Sequence, residues 1–277
     1  MLPELTEVQV GLLFTLGLSV GMLGAAIGIG GGILLVPVLL VVFPDASPAV
    51  ITSISLTAVV LNATSANLGY RRRRWQDPRT GLVLIAAAVP GAMVGALLTR
   101  LTERGAFEVI FGVALVAGSI YLGLRGRRLP QVTEPSLKGS IRHLVDREET
   151  VYDYRVREGL ATGIAAGAGF LAAFFGIGGG IINVPVMMLI LKMPARISVA
   201  TSQLELMVAS FAAVLVHFFI TLGEWDPWIR GGIVGIGTLL GAQVGVYLAG
   251  RVSARVVLLV ISVMLMLTGI RQVFTGL

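Results

Sequence analysis

The amino-acid sequence predicts an all-α polytopic membrane protein of two homologous halves, each a Gly-rich broken or re-entrant helix plus three transmembrane helices, with the halves as inverted repeats. Three observations lead there. The 277-residue chain is 56% hydrophobic and 13% charged, whereas soluble domains are about a quarter charged. Long charge-free stretches recur along it. One glycine-rich element occurs twice.

The first stretch, residues 8–43, carries no charge. Residues 10–43 as one helix would measure about 51 Å at 1.5 Å per residue, against a hydrocarbon core of about 30 Å. A break at Gly28 to Gly32 divides it into two shorter pieces and places irregular backbone inside the membrane, where it is tolerated only if buried in protein or lining a wet cavity. No processing site follows it, so it reads as part of the mature chain, which is expected to begin near Met1. Residues 46–70, 81–99 and 109–124 are also uncharged and supply the three helices of the first half.

Residues 125–158 hold eight basic and six acidic residues. This polar linker is expected to be a solvated cytoplasmic loop with one amphipathic turn or helix in it at some point. Beyond it, residues 159–191 form a second long stretch, and 197–223, interrupted by Glu205 alone, 231–250 and 256–270 complete the second half. The domains are therefore 1–124, a first membrane repeat; 125–158, a linker; and 159–277, a second membrane repeat.

The repeat is visible in the residues themselves. Gly28-Ile29-Gly30-Gly31-Gly32-Ile33 with Pro37 recurs as Gly176-Ile177-Gly178-Gly179-Gly180-Ile181 with Pro185. Thr52-Ser53 aligns with Thr201-Ser202, Gly91 to Gly95 with Gly241 to Gly245, and Arg104 with Arg255. If each long segment is a hairpin returning to its own side, 17 of the basic residues lie on one side and 4 on the other, a sharper bias than single crossings give, and the halves become inverted. The loop of Arg71 to Arg74 and the linker then face the cytoplasm.

Chemistry concentrates at the glycine tips. Glycine permits close backbone approach, and the helix that follows each tip begins with unpaired N–H groups and a positive dipole end that attract anions. The alternative is tight helix packing, the reading assigned to Gly159, Gly163 and Gly167 and to Gly237, Gly241 and Gly245 at small-xxx-small spacing. Neither tip is a phosphate loop or a dinucleotide fingerprint. Thr52, Ser53, Thr201, Ser202 and Gln203 could complete an anion's shell without fixed charge, or their hydroxyls could bond back to the helix carbonyls. Asn62, Asn67, Asn183 and Gln243 are further polar candidates, equally suited to interhelical bonds. Glu205, three and four residues from Ser202 and Thr201, shares their face and could couple transport to protons or serve as a structural partner. His217 lies further along the same helix.

Several classes are excluded. No cysteine exists and there are only two histidines, His143 and His217, so no metal cage or thiolate nucleophile is expected. No catalytic set stands out, and no cofactor is expected. The net charge of +6 reports basic loops rather than nucleic-acid binding, because stacking aromatics are not interleaved with the basic runs.

The doubled G-I-G-G-G-I…P element, each copy followed by a Thr-Ser pair and a G-A-x-V-G helix, resembles the TauE/SafE family of sulfite and organosulfonate exporters over about residues 10–270. The resemblance implies a secondary transporter in the bacterial inner membrane, exporting a small sulfur-containing anion bound at the midplane between the tips. A passive anion channel and a non-transporting scaffold remain open, as does homodimerisation. The linker is longer than such halves require, and nothing is carried over to it.

Overall fold

A computed structural model describes residues 6–126, 139–221, 224–249, 251 and 253–276; the start of the chain and the linker residues 127–138 lie outside these. Ten α-helices and one β-hairpin are described: α1 (Glu7–Ile27), α2 (Gly32–Val42), α3 (Pro48–Arg73), α4 (Pro78–Arg100), α5 (Arg104–Gly126), β1 (Ser140–Val145), β2 (Val151–Val156), α6 (Glu158–Phe174), α7 (Gly180–Pro185), α8 (Ala195–Ile220), α9 (Asp226–Ala249) and α10 (Ala254–Gly276). Six are long and apolar enough to cross a bilayer. The protein is a multi-pass membrane protein.

Local chemistry sets the helix ends. Thr6 and Gln9 form a capping box at the start of α1. Ser47 and Asp77 cap α3 and α4, each with a proline in the first turn that pre-sets the helical φ. Three arginines in the last turn of α3 complement its dipole before Arg74 closes the helix in the left-handed region. Pro185 falls near the end of α7, and the chain continues as a π-helical turn, Val186–Ile190.

Helices pack through small residues, as association without a hydrophobic drive requires. A Cβ at Gly237, Gly241 or Gly245 of α9 would overlap the carbonyls of Phe14, Leu18 and Met22, so α1 and α9 run parallel in close backbone contact. Gly91 and Gly95 of α4 meet the carbonyls of Ala166 and Phe170 of α6 in the same way. Helix α3 packs on α9 and α8 on α4, while α3 pairs with α8 and α5 with α10. Gly159, Gly163 and Gly167 correct the sequence reading: a Cβ on any of them meets nothing within 4 Å, because α6 faces α4 through Gly169 and through the glycines of α4 instead.

After α1 the chain turns at its glycines, and α2 returns it to the end where α1 began, placing Phe43 under the Arg230 guanidinium of the first turns of α9. Arg104 secures that return by donating to the carbonyls of Leu40, Phe43 and Ala46 at 2.6, 3.0 and 2.8 Å. Arg271 donates to the Pro37 carbonyl at 3.0 Å.

The described part of the linker corrects the expectation of a loop. Strands β1 and β2 pair antiparallel with Arg142 opposite Tyr154 and His143 opposite Asp153. The Arg142 and Tyr154 face is buried, while His143 Nδ1 lies 2.6 Å from Asp153 Oδ1 on the exposed face. Tyr154 donates to Asp77 Oδ2 at 2.8 Å, and Arg142 Nε lies 3.4 Å from the same oxygen. Burial, with the Asp77 charge beside it, pushes the Tyr154 hydroxyl pKa up, so it remains a donor at any physiological pH.

Candidate functional site

Both glycine tips adopt the left-handed backbone that only glycine takes without strain, at Gly28, Gly30 and Gly31 (φ 86°, 73° and 84°) and at Gly176 and Gly178 (φ 69° and 71°). In the first tip the Gly24 carbonyl collects the N–H groups of Gly28, Ile29 and Gly30, and the Gly31 carbonyl starts α2 by accepting from Leu34 and Leu35. The N–H groups of Gly31, Gly32 and Ile33 then have no hydrogen-bond partner among the described residues. In the second tip, the Gly179 carbonyl accepts from Ile182 and Asn183, and the N–H groups of Gly179, Gly180 and Ile181 are left in the same condition.

The tips touch. A Cβ on Gly32 would overlap the Ile177 carbonyl, and one on Gly180 the Gly28 carbonyl. Gly30 and Gly178 both lie against Val59 and Leu206, which sit near the middle of the 26-residue helices α3 and α8. The two runs of unpaired N–H groups therefore start at the centre of the protein, enclosed by Ile29, Ile33 and Ile177, all buried.

Helices α3 and α8 hold the tips through one repeated set of contacts. Ser202 directs its proton to the Gly28 carbonyl at 3.0 Å or the Val199 carbonyl at 2.9 Å, and Ser55 donates to the Gly176 carbonyl at 2.6 Å. Val199 packs on Gly28 as Thr52 packs on Gly176. Geometry thus pairs Ser202 with Ser55, not with Ser53. Matching the first residues of the two helices, Pro48 and Ala195, finds this register, whereas matching the Thr-Ser letters misses Ser55. Ser53 bonds back to the Ala49 carbonyl at 2.6 Å. Thr201 turns away from the tips and accepts from the Asp77 N–H at 3.0 Å.

Buried polar side chains complete the surroundings. Gln203 donates to the Gly24 carbonyl at 3.3 Å and leaves its own oxygen unpartnered. Glu205 is fully buried; Oε2 accepts from the Asn183 amide, Oε1 has no partner, and both oxygens border Gly179. Asn67 donates to the Gln203 carbonyl at 2.8 Å and accepts from Gln76. Asn62 bonds the Gly21 and Thr238 carbonyls, and Gln243 bonds Ser65, so these two serve helix packing. His217 Nε2 lies 3.3 Å from the Thr52 hydroxyl. That hydroxyl directs its single proton to the Pro48 or Ala49 carbonyl at 2.9 or 3.1 Å. Nε2 is accordingly assigned the proton, and Nδ1 is a buried acceptor without a partner. Among the described residues no group of His, Asp and Glu is placed to hold a metal ion.

A helical membrane protein with broken helices meeting at its centre is built like a transporter. The family model of the sulfite exporter TauE/SafE family matches residues 13–272, and the chain belongs to that family. It is 29% identical over 271 residues to the probable membrane transporter protein YunE of Bacillus subtilis, covering 96% of this chain and 97% of that one. A probable membrane transporter protein of Xylella fastidiosa is 27% identical over 259 residues, covering 90% and 93%. No solved structure matches.

Proposed function

We propose that the chain is a secondary transporter of the bacterial inner membrane that exports a small sulfur-containing anion, sulfite or an organosulfonate, binding it where the two glycine tips meet. One observation carries this reading: the two glycine tips, each opening a helix with unpaired N–H groups, touch at the centre of the protein, and Ser55, Ser202 and Gln203 lie on their carbonyls. N–H groups of this kind hold an oxyanion without a fixed positive charge, which lets it leave as well as enter, and the Ser55 and Ser202 hydroxyls reach it by rotating off the tip carbonyls they face. In this reading the contacting groups are Gly28 to Gly32, Gly176 to Gly180, Ser202 and Gln203, joined by Ser55. Thr52, Ser53 and Thr201 support the helices that bear them. Glu205, against the second tip, couples anion movement to protons.

The halves are taken as inverted, with α1 and α2 starting and ending at the Asp226 face and α6 to Ile190 starting and ending at the β-hairpin face, which is cytoplasmic. Cysteines introduced singly at Asp45 and Lys192, in a chain without its own, are expected to react with impermeant maleimide from opposite sides of the membrane. Reaction from one side would overturn the inversion.

The function is tested by flux in proteoliposomes with sulfite, sulfate, thiosulfate and sulfonates, with and without a pH gradient. Uphill, gradient-driven movement of a sulfur oxyanion is expected. Flux that runs only downhill would assign a channel, and absence of flux for every anion would leave a scaffold.

A further inference from the structure

We propose that the β1–β2 hairpin is a lock on the membrane face it covers, tying the two halves together there, and that anion passage to that face requires its release. The inference rests on the transport reading above. Its geometry begins with Arg142 and Tyr154, cross-strand neighbours on the buried face of the hairpin. Both converge on Asp77, which caps α4 by accepting from the Thr80 N–H at 3.1 Å. The Asp77 N–H in turn donates to Thr201 of α8, so the hairpin, the first half and the second half meet around one carboxylate. At its turn the hairpin makes a second connection: the Arg147 N–H donates to the Arg73 carbonyl at 3.2 Å, and Glu148 lies 4.0 Å from Arg196 of α8. Trp75, buried between α3 and α4, carries the Arg73 and Arg196 guanidinium groups 4.9 and 5.2 Å from its ring centroid.

Below this cluster the polar contacts continue inward without a gap. Gln76 bonds Asn67, Asn67 bonds the Gln203 carbonyl, and the Gln203 amide reaches the Gly24 carbonyl that closes the first tip. Such a ladder between α3 and α8 is a natural route from the face to the tips, and here its side chains are bonded to one another and to the backbone, with the Gln203 oxygen left unpartnered. On the opposite face a surface pocket of about 290 Å³ lies between Phe43, Asp45, Asp226 and Arg230, with Ile54 in its lining. The described contacts thus tie the two halves together under the hairpin, as alternating access requires in one of its two states.

Two measurements test the lock. The first needs no substrate: Thr201→Cys, directly beneath Asp77, is labelled with impermeant maleimide from the hairpin face. Adding Tyr154→Phe, which keeps the ring and removes its hydrogen bond, or Arg142→Gln is expected to raise the labelling rate about tenfold, the shift one net hydrogen bond carries. An unchanged rate in the Tyr154→Phe background would overturn the lock. The second joins Glu148→Cys to Arg196→Cys with a bifunctional methanethiosulfonate. Sulfite flux is expected to fall to the level of empty vesicles and return on reduction, whereas full flux in the cross-linked protein would overturn the proposal. If wild-type vesicles move no anion at all, the transport reading fails while the labelling experiment still decides whether the hairpin locks the face.

Discussion

Gly30→Val and Gly178→Val are each expected to reduce anion flux to background while leaving a protein that inserts and folds. Both positions hold a left-handed backbone, φ 73° and 71°, which costs a β-branched residue about 1–3 kcal/mol. A Cβ at either one also meets the side chains of Val59 and Leu206. Leu206 can yield at its flexible end, so the fold survives, but the added methyls lie where the two tips converge. Gly32→Ala and Gly180→Ala sharpen the test, because their Cβ atoms meet backbone carbonyls of the opposite tip that cannot rotate away. The control is Gly163→Ala, which meets nothing within 4 Å and is expected to transport normally. Flux at the wild-type level in either valine variant, at matched protein amount, would remove the tips from the mechanism.

Glu205→Gln is expected to keep anion binding and to abolish its pH dependence. In the wild type, an ionised Glu205 beside the second tip repels an incoming anion, so proton and anion occupancy favour each other and affinity rises as pH falls. A single coupled proton changes affinity by at most tenfold per pH unit. The glutamine cannot ionise, and its amide keeps an oxygen to accept from Asn183, the bond Glu205 makes now. The measurements are affinity and flux of an alkanesulfonate, whose charge does not change over the range, between about pH 5 and pH 8. An identical pH profile in the variant would assign Glu205 to structure, and His217, whose Nδ1 is a buried acceptor without a partner, would be the next group to test.

The membrane architecture was legible in the sequence because a bilayer demands long uncharged segments, and residues 8–43 and 159–191 exceed what one straight helix can use. The tips were legible because glycine runs have few other uses in mid-membrane. Their partners were harder to read. Ser53 and Ser55 are equally plausible as letters, and which faces a carbonyl depends on helix register, fixed only once Pro48 and Ala195 are matched as helix starts. The hairpin was hidden for a different reason. In β1, the alternation that marks a half-buried strand is inverted, with Arg142 inward and Ile141 outward, so a polarity reading sees a solvated loop. The stripe of Gly159, Gly163 and Gly167 misled because spacing identifies a smooth helix face without saying what, if anything, lies on it.

The two arms that follow the glycine tips are held differently. Helix α2 is pinned over its second half by Arg104 and Arg271, whose charges hold four of the carbonyls on and just after it. Its counterpart ends in a π-helical turn followed by Lys192 at φ 56°, a strained conformation for a side-chain-bearing residue. Amide hydrogen exchange is accordingly expected to be faster over residues 186–191 than over the last turns of α2. Mechanically, such a difference would make the first arm the stator of a transport cycle and the second its rotor.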